Sequence, residues 1–146
     1  MVEMKVILPT DYDLKIDEQV EKYLETKQKL TYFLVSASTA IIAFLSNFVF
    51  NNRNEVENLA GLAIISSLAG LITAGSSICN LYFEHQSYRL HLHYRYQKKT
   101  WDSLTLEQQQ DWDRIHEKAK ILLKTAFFSL VLQIIFAVAF FTIILI

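Results

Sequence analysis

The chain has 146 residues, enough for one structural unit, and 52% of them are hydrophobic, with a mean hydropathy of +0.22 that excludes an ordinary soluble domain of this size. Its 14 Lys and Arg balance 15 Asp and Glu, so the net charge of −1 points to no partner and only the local distribution of charge is informative. A lone cysteine, Cys79, excludes an internal disulfide and a thiolate metal site of its own; its apolar neighbours make it read as a small buried hydrophobe.

The N-terminal segment 1–29 opens with MKVILP, extended in character and closed by Pro9. In DYDLKIDEQVEKYLETKQKL that follows, Ile16, Val20, Tyr23 and Leu30 fall on one helical stripe. This amphipathic helix runs into the next segment without a breaker, and Lys27 and Lys29 sit where snorkelling lysines belong. Two placements are open: along the membrane surface, or packed on the other cytoplasmic helices. Residues 1–29 do not read as a signal peptide, because they are highly charged and lack an apolar core.

Three uncharged runs follow, at 30–50, 59–83 and 125–146. Each exceeds the roughly 20 residues that cross the hydrocarbon core as a helix, and each lacks charge all the way round, unlike a soluble bundle helix. They predict transmembrane helices over 30–50, 59–83 and 121–146. The 51–58 connection contains only Arg53, whereas 1–29 contains five Lys and Arg and 84–120 contains seven. That bias places the N-terminus and 84–120 in the cytoplasm. Within 84–120, Thr105 and Gln108 match a capping box that starts a helix at Leu106. The second and third spans therefore extend into a cytoplasmic antiparallel hairpin, two helices of about 60 Å each. Tyr88, Leu92 and Tyr96 on one arm face Trp112, Ile115 and Ala119 on the other, with Trp101 and Leu104 near the tip. The expected fold is an all-α integral membrane protein assembled as a homo-oligomer.

The second long helix carries a one-sided polar stripe. Steps of four and three residues give Ser66, Gly70, Thr73, Ser77, Asn80, Glu84, Ser87, His91, Arg95 and Lys98, none a large apolar residue. One reading is dry helix packing, in which small residues allow close approach and hydroxyls bond between helices. The other is a pore between symmetric copies, lined by Ser66, Thr73, Ser77, Asn80 and Glu84. Below it Ser87, Arg89, His91, Arg95, Lys98 and Lys99 would form a basic vestibule, suited to a phosphate-rich ligand such as a nucleotide or oligonucleotide. Gln133, in the middle of the third span, fits either reading, as a bond between helices or a pore-facing amide.

Catalysis has little support. The three glycines, Gly61, Gly70 and Gly75, all lie within the spans and form no phosphate loop. His91 and His93 lie about 200° apart on a helix and cannot share a metal, and no carboxylate completes a site with His85 and His93. We expect no enzyme, cofactor or metal.

The run YFEHQSYRLHLHYRYQKKTW after a small-residue-rich span resembles the SLATT membrane effectors of bacterial antiphage and conflict systems. Tyr82-Phe83-Glu84 and Tyr88-Arg89 stand where that family has an aromatic–glutamate and a Tyr-Arg element. The resemblance covers about residues 20–100, and the third span departs from the minimal two-span pattern. It implies a pore-forming effector of the bacterial inner membrane, signalled by a partner sensor or nucleotide-synthesising enzyme. The alternative is a non-conducting membrane adaptor that docks a partner on its cytoplasmic stalk.

Overall fold

The computed structural model describes residues 11–52, 56, 59–96 and 104–145, with side chains described for 18–52, 56, 59–94 and 104–144. Those residues form three helices and no strand: α1 (Asp11–Asn51), α2 (Ala60–Tyr96) and α3 (Leu106–Leu145). They have 41, 37 and 40 residues, so each is about 55–60 Å long. None contains proline, the residue that would break such a run. All three are long and apolar enough to cross a membrane.

The helices run up, down and up. Ser66 bonds to Gln133, Thr73 to Ser129 and Asn80 to Ala119, so α2 and α3 are antiparallel. Gln133 also bonds to Ser38, and Glu84 to Tyr23, which fixes α1 against both. The buried positions recur at alternating steps of three and four. On α2 they include Ala63, Ser66, Thr73, Ser77, Asn80, Glu84 and Ser87; on α1, Thr31, Leu34, Ser38 and Leu45. That is the coiled-coil period of 3.5. One seam per helix continues through the apolar half into the charged half.

The apolar half has its large side chains outside. Phe50 is 83% exposed and Phe128 67%, and Leu68, Leu71, Val131 and Val138 also face outward. A soluble bundle buries such residues, whereas a lipid-facing one has no reason to. Two apolar clusters bracket the interior. Leu45, Val56, Ala63 and Phe140 close the far end, where Phe48 meets Phe140 edge-on at 5.9 Å. Leu34, Ala126 and Leu130 lie nearer the charged half. Between and below them the core is polar.

The charged half is a three-helix stalk. The sequence leads to a two-helix hairpin, with α1 either on the membrane surface or on the stalk. The structure selects the stalk: Tyr23 and Lys27 of α1 both reach Glu84 of α2. The inward line of α2 is also different from the expected Tyr88/Leu92 face. Glu84, Ser87 and Tyr94 are buried, while Tyr88 and Leu92 are half-buried at the flank. The Tyr96 side chain and Trp101 lie outside the described residues.

The capping box forms as the sequence requires. The Thr105 amide donates to Gln108 Oε1 at 3.1 Å, and the Gln108 amide donates to Thr105 Oγ1 at 3.3 Å. Two of the unpaired donors at the start of α3 are thereby satisfied. Thr105→Ala should cost about 1 kcal/mol and speed amide exchange at residues 106–109, while Thr105→Ser should be close to neutral; equal protection in all three chains would refute the assignment.

Candidate functional site

The polar stripe of α2 is the chain's own packing seam. Ser66, Thr73, Ser77, Asn80, Glu84 and Ser87 are all at most 9% exposed. They are covered by α1 and α3 of the same molecule. The physical reason is the 3.5-residue period: positions spaced by four and three along α2 are those that a neighbouring helix must meet.

The hydroxyls of Ser66, Thr73 and Ser77 and the Asn80 amide find partners there. Ser66 Oγ donates to the Gln133 carbonyl at 2.9 Å. The Thr73 and Ser129 hydroxyls lie 2.9 Å apart, with the Ala69 and Thr125 carbonyls as further acceptors. Ser77 Oγ donates to the Thr73 carbonyl at 2.7 Å. Asn80 Nδ2 donates to the Ala119 carbonyl at 2.6 Å, beneath an alanine that is itself only 1% exposed. Such pairing is what permits a dry polar core in a low-dielectric setting.

Midway along the apolar half the seam becomes a three-helix node. Gln133 Nε2 donates to the Ser38 carbonyl at 3.0 Å, and Gln133 contributes its own carbonyl to Ser66. Gly70 makes room for it: a Cβ at residue 70 would meet Gln133 Nε2 and would lie 2.9 Å from both Gln133 Cδ and Ile42 Cδ1. Two buried atoms, Ser38 Oγ and Gln133 Oε1, have no hydrogen-bond partner.

At the other end of the seam lies the one buried ion pair among the described residues. Glu84 Oε1 is 3.2 Å from Lys27 Nζ, with the two side chains 7% and 18% exposed. Tyr23 donates its hydroxyl to the same carboxylate, at 3.3 Å to Oε1 and 3.5 Å to Oε2. The Lys27 ammonium also sits 5.1 Å from the centre of the Tyr23 ring. Burial works to lower the Lys27 pKa, but the Tyr23 hydroxyl and the Glu84 carboxylate outweigh it and raise it above the ordinary lysine value. Lys27 precedes the uncharged run of α1. The charges that border the three uncharged runs on the stalk side, Lys29, Glu84 and Lys124, lie within roughly two helical turns of one another along the bundle. The pair therefore marks the level where the stalk meets the apolar half.

Beside it opens a cavity of about 260 Å³. Helix α1 contributes Val20, Tyr23 and Leu24; α2 contributes Glu84, Ser87, Tyr88 and His91; α3 contributes Trp112 and His116. His91 meets Trp112 edge-on, ring centres 5.5 Å apart. The walls are largely aromatic and apolar, and among the described residues the one carboxylate in the lining is that of Glu84.

The expected basic vestibule is divided. Ser87 and His91 turn inward to this cavity, while Arg89 is exposed, two residues and about 200° around the helix from Ser87. The Arg95 side chain and Lys98 and Lys99 lie outside the described residues. Cys79 corrects another expectation: it is exposed, not buried, because it precedes the seam residue Asn80 by one position and so points about 100° away. Sequence reasoning passed over Tyr23 and Lys27 as partners of Glu84; an acid at a seam position called for a cation on a facing seam, and Lys27 lies in register with the α1 seam position Thr31. No protein-family model, no curated protein and no solved structure matches this chain, so its functional reading stands on the geometry.

Proposed function

We propose that the chain is a non-conducting, multi-pass membrane adaptor, with its N-terminus and three-helix stalk in the cytoplasm and its active part at the foot of the stalk. The observation that carries this reading is the satisfaction of the α2 polar seam within one molecule. Hydroxyls and amides that pair with the chain's own helices need neither water nor a symmetric neighbour. The lysine and arginine distribution supports the orientation: five in 1–29 and seven in 84–120, against Arg53 alone in the opposite connection. In this reading the membrane half holds three helices in register, and the stalk presents a surface to a partner protein. Contents of the aromatic cavity shift how α1 lies on α2 and α3, and so change that surface.

A homo-oligomeric pore gated by a nucleotide or oligonucleotide in antiphage defence is the second reading. It is favoured by the SLATT-like run around Glu84 and by the two unpaired polar atoms at the node, Ser38 Oγ and Gln133 Oε1. Such groups are costly in a dry core and would gain from water.

Planar-bilayer recording from the purified protein separates the two. The expected result is no unitary conductance from the wild type, with or without added nucleotides, and none from Asn80→Leu. Reproducible unitary currents that disappear in Asn80→Leu would establish the pore and displace the adaptor.

A further inference from the structure

We propose that the cavity at the foot of the seam is a binding site for a small hydrophobic organic cation, one with an ammonium head and an aromatic or aliphatic body. This deepens the adaptor reading, on which it rests for its function, by assigning the class of molecule that the stalk receives.

The fold already places a cation in this setting. Lys27 Nζ lies against the Tyr23 ring and 3.2 Å from Glu84, so an ammonium is held between a π face and a buried carboxylate. That is the chemistry by which proteins recognise alkylammonium groups. Glu84 is only 6% exposed, and its Oε2 receives a single long contact, 3.5 Å from the Tyr23 hydroxyl. A carboxylate accepts about four hydrogen bonds, so Glu84, which lines the cavity, retains capacity at Oε2. The remaining walls suit the body of such a ligand: Tyr88, His91 and Trp112 offer ring faces and edges, and Leu24 an aliphatic surface. An anion fits poorly, because among the described residues the one carboxylate in the lining, Glu84, would repel it.

Lys27 is the built-in competitor. Its side chain is 18% exposed and ends a flexible stem, so it can withdraw to water when another cation takes Glu84. Glu84 is the point where α1 is tied electrostatically to α2. Exchange of Lys27 for a ligand cation loosens that tie and gives binding a structural output in the stalk.

The test uses the full chain in nanodiscs of neutral lipid, carrying Trp101→Phe so that Trp112 alone reports. Benzyltrimethylammonium should quench or shift Trp112 fluorescence saturably, and phenylphosphate at the same concentrations should not. Glu84→Gln should weaken the cation by roughly tenfold or more, and Lys27→Met should tighten it by a similar factor. Benzyltrimethylammonium should also raise the melting temperature of Lys27→Met more than that of the parent, a readout that holds if the variant is destabilised. Equal binding of phenylphosphate, a non-saturating response, or affinities unchanged in both variants would overturn the site. Bilayer currents from the same preparation distinguish the two failures. Cation binding with conductance keeps the site and removes the adaptor, whereas silence in both assays removes the site and keeps the adaptor.

Discussion

Gly70→Leu should prevent α2 from closing on α3, with a loss of at least about 3 kcal/mol from overpacking. The middle of the membrane half leaves no space for a side chain at this residue. Even an alanine methyl would meet the Gln133 amide and Ile42, each on a different neighbouring helix. The amide end of a glutamine is flexible in general, but this one is pinned by its bond to the Ser38 carbonyl. Gly70→Ala therefore breaks that bond or separates the helices; the better helix propensity of alanine offsets up to about 1 kcal/mol, leaving a net cost of about 1–2 kcal/mol. The mechanism makes a sharper statement about pairs. In Gln133→Ala only the flexible end of Ile42 still meets the added methyl, so Gly70→Ala should cost less than about 0.5 kcal/mol there, giving an interaction energy of about 1 kcal/mol across the cycle. Denaturant or steric-trap unfolding in bilayers reads it, and additive costs would mean that Gly70 is not a seat for Gln133. Gly61 and Gly75 are controls within the same helix: a Cβ at either meets nothing within 4 Å, so alanine there should not destabilise.

The three spans, their continuity with charged helices and the capping box are legible in the sequence, because each depends on local chemistry. An uncharged run longer than the bilayer core, the absence of proline and a Thr-x-x-Gln start need no knowledge of the neighbours. The polar stripe on α2 is equally legible, but its meaning is not. Ser66, Thr73, Ser77 and Asn80 would form the same pattern facing a pore or facing α3, since both require small polar groups at one helical period. What separates the readings is the identity of the opposite surface. That surface is built of Ser129 and Gln133 side chains and of the Ala119 and Gln133 carbonyls, and backbone carbonyls carry no sequence signal. The ion pair was missed for a related reason. Lys27 reads as a snorkelling lysine when α1 is considered alone, and only the register of α1 on α2 turns it toward Glu84.

Replacing Lys27 and replacing Glu84 should have unequal consequences, although they remove the same ion pair. Lys27→Met leaves the Glu84 carboxylate, 93% buried by side chain, with only the Tyr23 hydroxyl as a partner. Breaking a fully buried pair from one side costs about 3–5 kcal/mol, because an uncompensated charge remains. Partial exposure of Lys27 brings water near and lowers the expectation to about 2–3 kcal/mol. Glu84→Gln keeps a hydrogen-bonding group beside Tyr23 and leaves a lysine whose head can reach solvent, so the cost should be nearer 1 kcal/mol. The double variant Lys27→Met, Glu84→Met removes both charges and fills the space with flexible apolar side chains. Its stability should return to within about 1 kcal/mol of the parent, since an ion pair replaced by packed apolar groups is often neutral or better. Thermal melts of all four chains in one bilayer composition decide the matter. Equal single-variant costs would mean that Glu84 is hydrated in the folded protein. A double variant as unstable as Lys27→Met alone would mean that Lys27 holds α1 in place by its stem and not by its charge.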